Sequence, residues 1–209
     1  LWIMDDDGRP EKSCLENLFQ NFSSLPSNYG AVTPLTFCLN ALNTNFDPFS
    51  GLSVTEVKDL SKEAFENKLG TFNGALYSID AIRKVGSPDS RYYIWGDEIE
   101  YRYRFLQSYS TFCVQNATYY HPKLHYFKNY IFGKYSVAPP GRIYYSLRNH
   151  AHMAIHRRYK IKFIRMFIKQ QLISLFYRKE SKLRSFFLNF LAIYHGIIEN
   201  FSNKINGSK

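Results

Sequence analysis

The chain opens on an apolar start, Leu1, Trp2 and Ile3, that runs straight into three consecutive carboxylates, Asp5, Asp6 and Asp7. Such a run reads as the end of a buried strand, and a buried strand needs neighbours that are expected to precede it. The chain is therefore expected to be the later part of a longer protein. Pro10 suits the first turn of a helix, with Glu11 near its positive end and Leu15, Leu18, Phe19 and Phe22 at i, i+3, i+4 and i+7. Residues 23–53, rich in Ser, Asn, Pro and Gly, predict loops with one short strand at Ala31–Leu35, and residues 54–69 predict a helix on Val54, Val57, Leu60, Ala64 and Leu69.

Further along, residues 71–89 predict a strand and then a helix over Ile79–Val85, closed by Gly86 and stopped by Pro88. Tyr92–Trp95 reads as a short aromatic strand, Gly96 allows a tight turn, and Glu98–Leu106 has helical character. An apolar segment thus again delivers carboxylates to a helix start. Residues 111–121 predict a strand pair ending at His121, residues 123–143 a loop, and everything from Tyr144 onward a helical segment.

Composition narrows the class. Apolar residues make up 45% and charged residues 21%, so the chain collapses rather than remaining disordered. Cys14, Cys38 and Cys113 lack CxxC spacing, which argues against a disulfide scaffold or a cysteine zinc site and fits a reducing cytosol. The net charge of +10 is localised: residues 151–209 hold 12 Lys/Arg against Glu180 and Glu199, whereas residues 1–150 are balanced. A balanced body with a basic end suggests a segment that meets an anionic surface. In that segment Ile161, Ile164, Ile168, Leu172, Leu175 and Phe176 form an apolar stripe among Lys160, Lys162, Arg165 and Lys169, the pattern of a helix lying in a membrane interface or packed on its domain. The mostly apolar run Phe186–Ile198, broken by Asn189 and His195, is too short to span hydrocarbon. Nucleic acid is not an expected partner, because RNA binding finds no RRM, KH or zinc signature.

Candidate chemistry lies in the two acidic clusters. Adjacent carboxylates repel, and the side chains of Asp5 and Asp7 can converge on one hard divalent cation; a solvated acidic turn is the plain alternative. An EF-hand fails: Asp5, Asp7 and Glu16 match its first, third and twelfth positions, but Arg9 takes the fifth and Pro10 replaces the sixth-position Gly. In the second cluster, Asp97, Glu98 and Glu100, one carboxylate can remove a proton from an attacking hydroxyl, or all three can form an ordinary acidic helix start. His121, at a strand end, can complete a metal site with Asp7 or be structural, while His150, His152 and His156 read as polar-face residues of a basic helix. Without GxSxG, a P-loop or GxGxxG, serine hydrolase, Walker-type and dinucleotide chemistry lose their main support.

In order and separation, WIMDDDGRP, FNGALYS, VGSPDSRYYIWGDEIEYRYR, NATYYHP and YYSLRN resemble the inverting GT-A glycosyltransferases of the rhamnosyltransferase and galactofuranosyltransferase type, over nearly the whole chain. The resemblance implies an α/β fold: the C-terminal part of a Rossmann-like GT-A domain, its metal-binding and acceptor half at 1–143, followed by basic amphipathic helices at 144–209. It assigns Mg²⁺ or Mn²⁺ to Asp5, Asp7 and His121. The catalytic base falls on Glu98, with Asp97 as its neighbour, and the substrates on Asp6, Gly74, Trp95, Gly96 and Arg148. Tyr145, Arg148 and Asn149 match a segment expected in helix packing and diphosphate contact. The implied reaction moves a sugar such as rhamnose or galactofuranose, with inversion, from a nucleotide-sugar donor to a lipid-linked or polysaccharide acceptor. The expected location is the cytoplasmic face of the cell membrane. The family's N-terminal nucleotide-binding strands have no counterpart here, so the chain alone is expected to be inactive. The rival expectation is a non-catalytic membrane-surface or RNA-binding module with structural acidic clusters.

Overall fold

A computed structural model describes residues 1–38, 66, 72–122, 127–131, 133–136, 138–156, 160–178 and 181–202, with backbone alone at 38, 127–130, 133–136 and 162. The fold is mixed α/β. Its contacts group the chain into two compact units: Leu1–Pro88 with Tyr101–Leu124, and Asp89–Glu100 with His125–Lys209. The helix expected over 54–69 lies outside the described residues apart from Glu66, which forms a bridge with Phe112.

The first unit is built on a five-stranded sheet of order β1-β4-β3-β5-β2, from β1 (Trp2–Ile3), β2 (Arg9–Pro10), β3 (Tyr29–Cys38), β4 (Ala75–Tyr77) and β5 (Ser110–His121). The expected short strand at 31–35 is the middle of β3, a ten-residue strand at the centre of the sheet. β3 pairs antiparallel with β4 and parallel with β5, and the residues between β3 and β5 supply the crossover that parallel neighbours require. Side chains alternate across the sheet. Ala31, Ala75 and Tyr77 face helices α2 (Ile79–Val85) and the end of α3 (Asp97–Phe105), with Ala81, Tyr101 and Phe105. Val32, Val114 and Ala117 face α1 (Cys14–Ser24), with Cys14 and Leu18. Each fully buried large apolar side chain here contributes about 1.5–3 kcal/mol.

Several sequence expectations change. Pro10 does not open a helix; it pairs with Tyr119 in β2, and α1 begins at Cys14, burying Cys14 and Leu18 while Leu15 and Phe19 stay exposed. β1 is a half-buried edge strand whose partner β4 comes later in sequence. The expected strand pair at 111–121 is one strand with a bulge: Pro34 pairs with Val114 but Leu35 pairs with Thr118. Pro34 has no N–H to continue the ladder, so the register breaks beside it. Helix α1 holds the bulge, through Asn17 Nδ2 donating to the Asn116 carbonyl and Asn21 Nδ2 to Asn116 Oδ1.

The second unit contains the hairpin β6 (Phe127–Tyr130) and β7 (Gly133–Ser136), where the sequence predicted a loop, and helices α4 (Pro140–His156), α5 (Lys160–Leu172) and α6 (Lys182–Ile197). A π-helical turn, Ile173–Tyr177, follows α5. The expected junction at 143/144 falls inside α4. That helix buries 12 of its 17 residues, which makes it the core of the unit. His150 and His152 are among them, so they are interior groups rather than polar-face residues.

Helix α6 is reversed in polarity. It buries Ser185, Asn189, Ala192, His195 and Gly196 and exposes Leu183, Phe187, Phe190, Leu191, Tyr194 and Ile197. The two polar interruptions seen in the sequence are its inward contacts: Asn189 Nδ2 donates to Gln171 Oε1 (2.7 Å) and Ser174 Oγ (3.1 Å), and His195 Nδ1 bonds Tyr144 Oη (2.6 Å). On α5, Ile161, Ile164 and Ile168 are likewise exposed. No described helix is long and apolar enough to cross a membrane.

Candidate functional site

In the first unit the three carboxylates occupy a tight turn, closed by Gly8 N–H donating to the Asp5 carbonyl at 3.3 Å. The turn is strapped to the sheet because the next two residues, Arg9 and Pro10, pair with Tyr120 and Tyr119 at the far end of β5. That register carries His121 to the turn. Its Nε2 lies 3.3 Å from Asp5 Oδ2 and 3.1 Å from Asp7 Oδ1, while Asp6 points to solvent. Asp5, Asp7 and His121 are thereby brought together as three ligand-type groups.

The protonation chemistry of this cluster is constrained. The Pro122 carbonyl, which only accepts, sits 2.8 Å from His121 Nδ1, so Nδ1 carries a hydrogen. Nε2 then meets two carboxylates either as a second N–H or as a lone pair, and a lone pair there is repulsive unless a cation lies between. Burial raises the Asp5 carboxyl above the usual carboxylate range, against the lowering effect of His121, and Asp7 adds to the rise. Adjacent ligand atoms of an octahedral ion of Mg²⁺ or Mn²⁺ size stand about 3 Å apart, so the donor set fits either ion, and the imidazole favours Mn²⁺.

Sequence reasoning missed two residues that build this turn. Tyr119 donates its hydroxyl to the Asp5 carbonyl (3.3 Å), and burial together with the Asp5 charge pushes its phenol up to about 12. A Cβ on Gly8 would collide with that hydroxyl, and one on Gly74 would lie 2.7 Å from the same ring. Gly74, at φ +75°, also accepts Trp2 Nε1–H on its carbonyl (2.7 Å). The missing side chain of Gly74 is therefore required by the Tyr119 ring. The only signal for Tyr119 was its position two residues before His121.

In the second unit, Tyr92–Trp95 is not the expected aromatic strand. Asn149 Nδ2 donates to the Ile94 (3.1 Å) and Trp95 (2.7 Å) carbonyls, so a side chain of α4 satisfies groups that a ladder would have taken. Trp95 is left-handed at φ +58° and Gly96 at φ +107°, the second of which allows the chain to enter α3 against Asn149. Of the acids that begin α3, Glu100 is buried, whereas Asp97 and Glu98 are half-buried and reachable from solvent.

Arg148 is wholly buried. It donates to Asn149 Oδ1 from Nε (3.1 Å) and Nη2 (3.0 Å) and stacks over Phe201 (4.7 Å) and Tyr145 (5.0 Å). This fits helix packing; a guanidinium with no exposed surface offers nothing to a diphosphate in this conformation.

No family model matches the chain. It is 29% identical over 133 residues to the galactofuranosyltransferase GlfT1 of Mycolicibacterium smegmatis, which covers 58% of this chain. The chain spans 43% of that protein's length. The similarity supports a relationship to glycosyltransferases.

Proposed function

We propose that the chain is the metal-binding and acceptor part of a GT-A glycosyltransferase that moves a sugar of the galactofuranose or rhamnose kind from a nucleotide donor to a glycan or lipid-linked acceptor with inversion. The observation that carries this reading is the convergence of Asp5, Asp7 and His121 on one point, in a chain similar to a galactofuranosyltransferase. Asp5, Asp7 and His121 would hold Mg²⁺ or Mn²⁺, which when bound offsets the charge that builds on a departing nucleoside diphosphate. Tyr119 and Gly8 fix the turn that presents the carboxylates. Glu98, or its neighbour Asp97, takes the proton from the acceptor hydroxyl as that oxygen attacks the anomeric carbon from the face opposite the leaving group.

The helical unit supports attachment to an anionic membrane. The exposed apolar residues of α5 and α6 lie among Lys160, Arg165, Lys182 and Arg184, so apolar burial and charge attraction act together on a lipid surface. Such attachment concentrates the enzyme on an acceptor held in the bilayer.

The test is sugar transfer by the natural full-length protein. Asp7→Asn and Glu98→Gln should each lower kcat by about 100-fold or more with circular dichroism unchanged. Transfer by both variants within twofold of wild type would remove the site assignment. Flotation of the chain on vesicles containing anionic lipid, lost in Phe187→Ser/Phe190→Ser, would support attachment; a folded chain that stays at the bottom of the gradient would refute it.

A further inference from the structure

Three ligand-type side chains that the proposed reaction does not use meet in the helical unit. His152 and His156 stand one turn apart on α4, their ring centroids 4.4 Å from each other. Both direct Nε2 at Glu199, just past the end of α6: His156 Nε2 is 3.3 Å from Oε1 and His152 Nε2 is 4.0 Å from Oε2. One ligand atom from each lies within 4.8 Å of the other two. Histidines at i and i+4 of a helix joined by a distant carboxylate form a recurrent zinc donor set, and the ligand atoms of a tetrahedral zinc stand about 3.3 Å apart.

The surroundings of the cluster are organised for that role. Tyr92 Oη and His152 Nδ1 are hydrogen-bonded at 2.5 Å, and the tautomer with its hydrogen on Nδ1, given to Tyr92, is the one that turns the Nε2 lone pair to Glu199. Arg91 donates to Glu199 Oε2 at 3.0 Å, which leaves Oε1 for an ion. Glu199 itself holds a left-handed backbone at φ +55°, and Phe201, two residues on, stacks on Tyr92.

We infer that His152, His156 and Glu199 form a zinc site that fastens the segment following α6 to α4, with water in the fourth position. Two imidazoles and one carboxylate suit Zn²⁺ and not Mg²⁺, which separates this site in chemistry from the Asp5, Asp7 and His121 group. The inference stands independently of the glycosyltransferase reading.

The experiment is metal binding by the whole chain, stripped with chelator and titrated with Zn²⁺, then with Co²⁺ as a spectroscopic probe. One equivalent of Zn²⁺ should bind in wild type and in Asp7→Ala, and Co²⁺ should give the strong visible absorption of a tetrahedral site. His156→Ala and Glu199→Gln, both on exposed side chains, should weaken zinc by about 100-fold or more and abolish the cobalt signal; Tyr92→Phe should cost about tenfold. Zn²⁺ should raise the melting temperature of wild type and leave that of folded His156→Ala unmoved. Absence of a tetrahedral cobalt spectrum in wild type would overturn the inference. So would zinc binding of wild-type strength in either variant whose circular dichroism is unchanged, and if His156→Ala does not fold, Glu199→Gln decides.

Discussion

Replacing Asn149 by Ala tests whether one side chain sets the path into the acidic start of α3. The side chain is fully buried, donates to two backbone carbonyls and accepts two bonds from Arg148. A buried group deprived of its partner costs about 1–3 kcal/mol, more when charged, and the four bonds share one side chain so their losses do not add fully. The expected destabilisation is about 3–5 kcal/mol. Asn149→Asp separates the two functions: it keeps acceptors for the Arg148 guanidinium but turns oxygen lone pairs toward Ile94 and Trp95. At neutral pH it should lie between wild type and Asn149→Ala. The measurement is guanidinium unfolding followed by Trp95 fluorescence in a Trp2→Phe background, since the chain has two tryptophans. The 91–96 segment of Asn149→Ala should also be cut faster by protease under native conditions. A shift below about 1 kcal/mol with unchanged proteolysis would refute the argument that Asn149 substitutes for a strand ladder.

Three other outcomes follow from the same geometry. Gly74→Ala places a Cβ at positive φ and against the Tyr119 ring, and should destabilise the sheet unit by about 2–4 kcal/mol in urea titration; a neutral effect would deny that Tyr119 occupies that space. Burial and then the Arg148 charge lower the His195 pKa, so the unfolded chain takes up the proton more readily. Stability from this group is present above about pH 6.5 and is lost as pH falls toward the folded value. Thermal melts of His195→Gln should therefore show a shallower loss on acidification than wild type, and parallel curves would contradict it. Burial, reinforced by the Glu11 charge, pushes the Cys14 thiol up to about 11, so iodoacetamide at pH 8 should leave Cys14 unmodified until denaturant is added, as read by mass spectrometry.

Local signals were legible where they were strong and self-contained. Helix α2 was readable from its closing Gly86, which stands at φ +84°, and from Pro88 beyond it; the Ser78 hydroxyl that accepts the Ala81 N–H at its start is seen only in the structure. The turn at Gly96 and the helix after it were readable for the same reason. The approach of Asp5, Asp7 and His121 could be suspected from residue type, but their placement depends on β2 pairing with β5 across more than a hundred residues, which no local pattern encodes. The aromatic strand at 92–95 was misread because its composition matches a strand while its carbonyls are claimed by Asn149. The start of α1 slipped because Pro10 is equally at home beside a sheet edge, and the hairpin at 127–136 carries no turn dipeptide that announces it. His150 and His152 were misplaced because helical periodicity assigns polar residues to water, whereas α4 is enclosed on nearly every side.

Helix α6 inverts the ordinary rule of substitution tolerance. Its inward stripe brings Gly196 so close that a Cβ there would collide with the Arg148 carbonyl oxygen, leaving no room for even one methyl group. A saturation scan of this helix judged by folding alone should accept Ser, Gln or Lys in place of the exposed Leu183, Phe187, Leu191, Tyr194 and Ile197 and reject changes at the buried small and polar residues. Engineers wanting a better-behaved sample thus have these outward positions to rewrite while Leu188, which packs on the core, stays as it is.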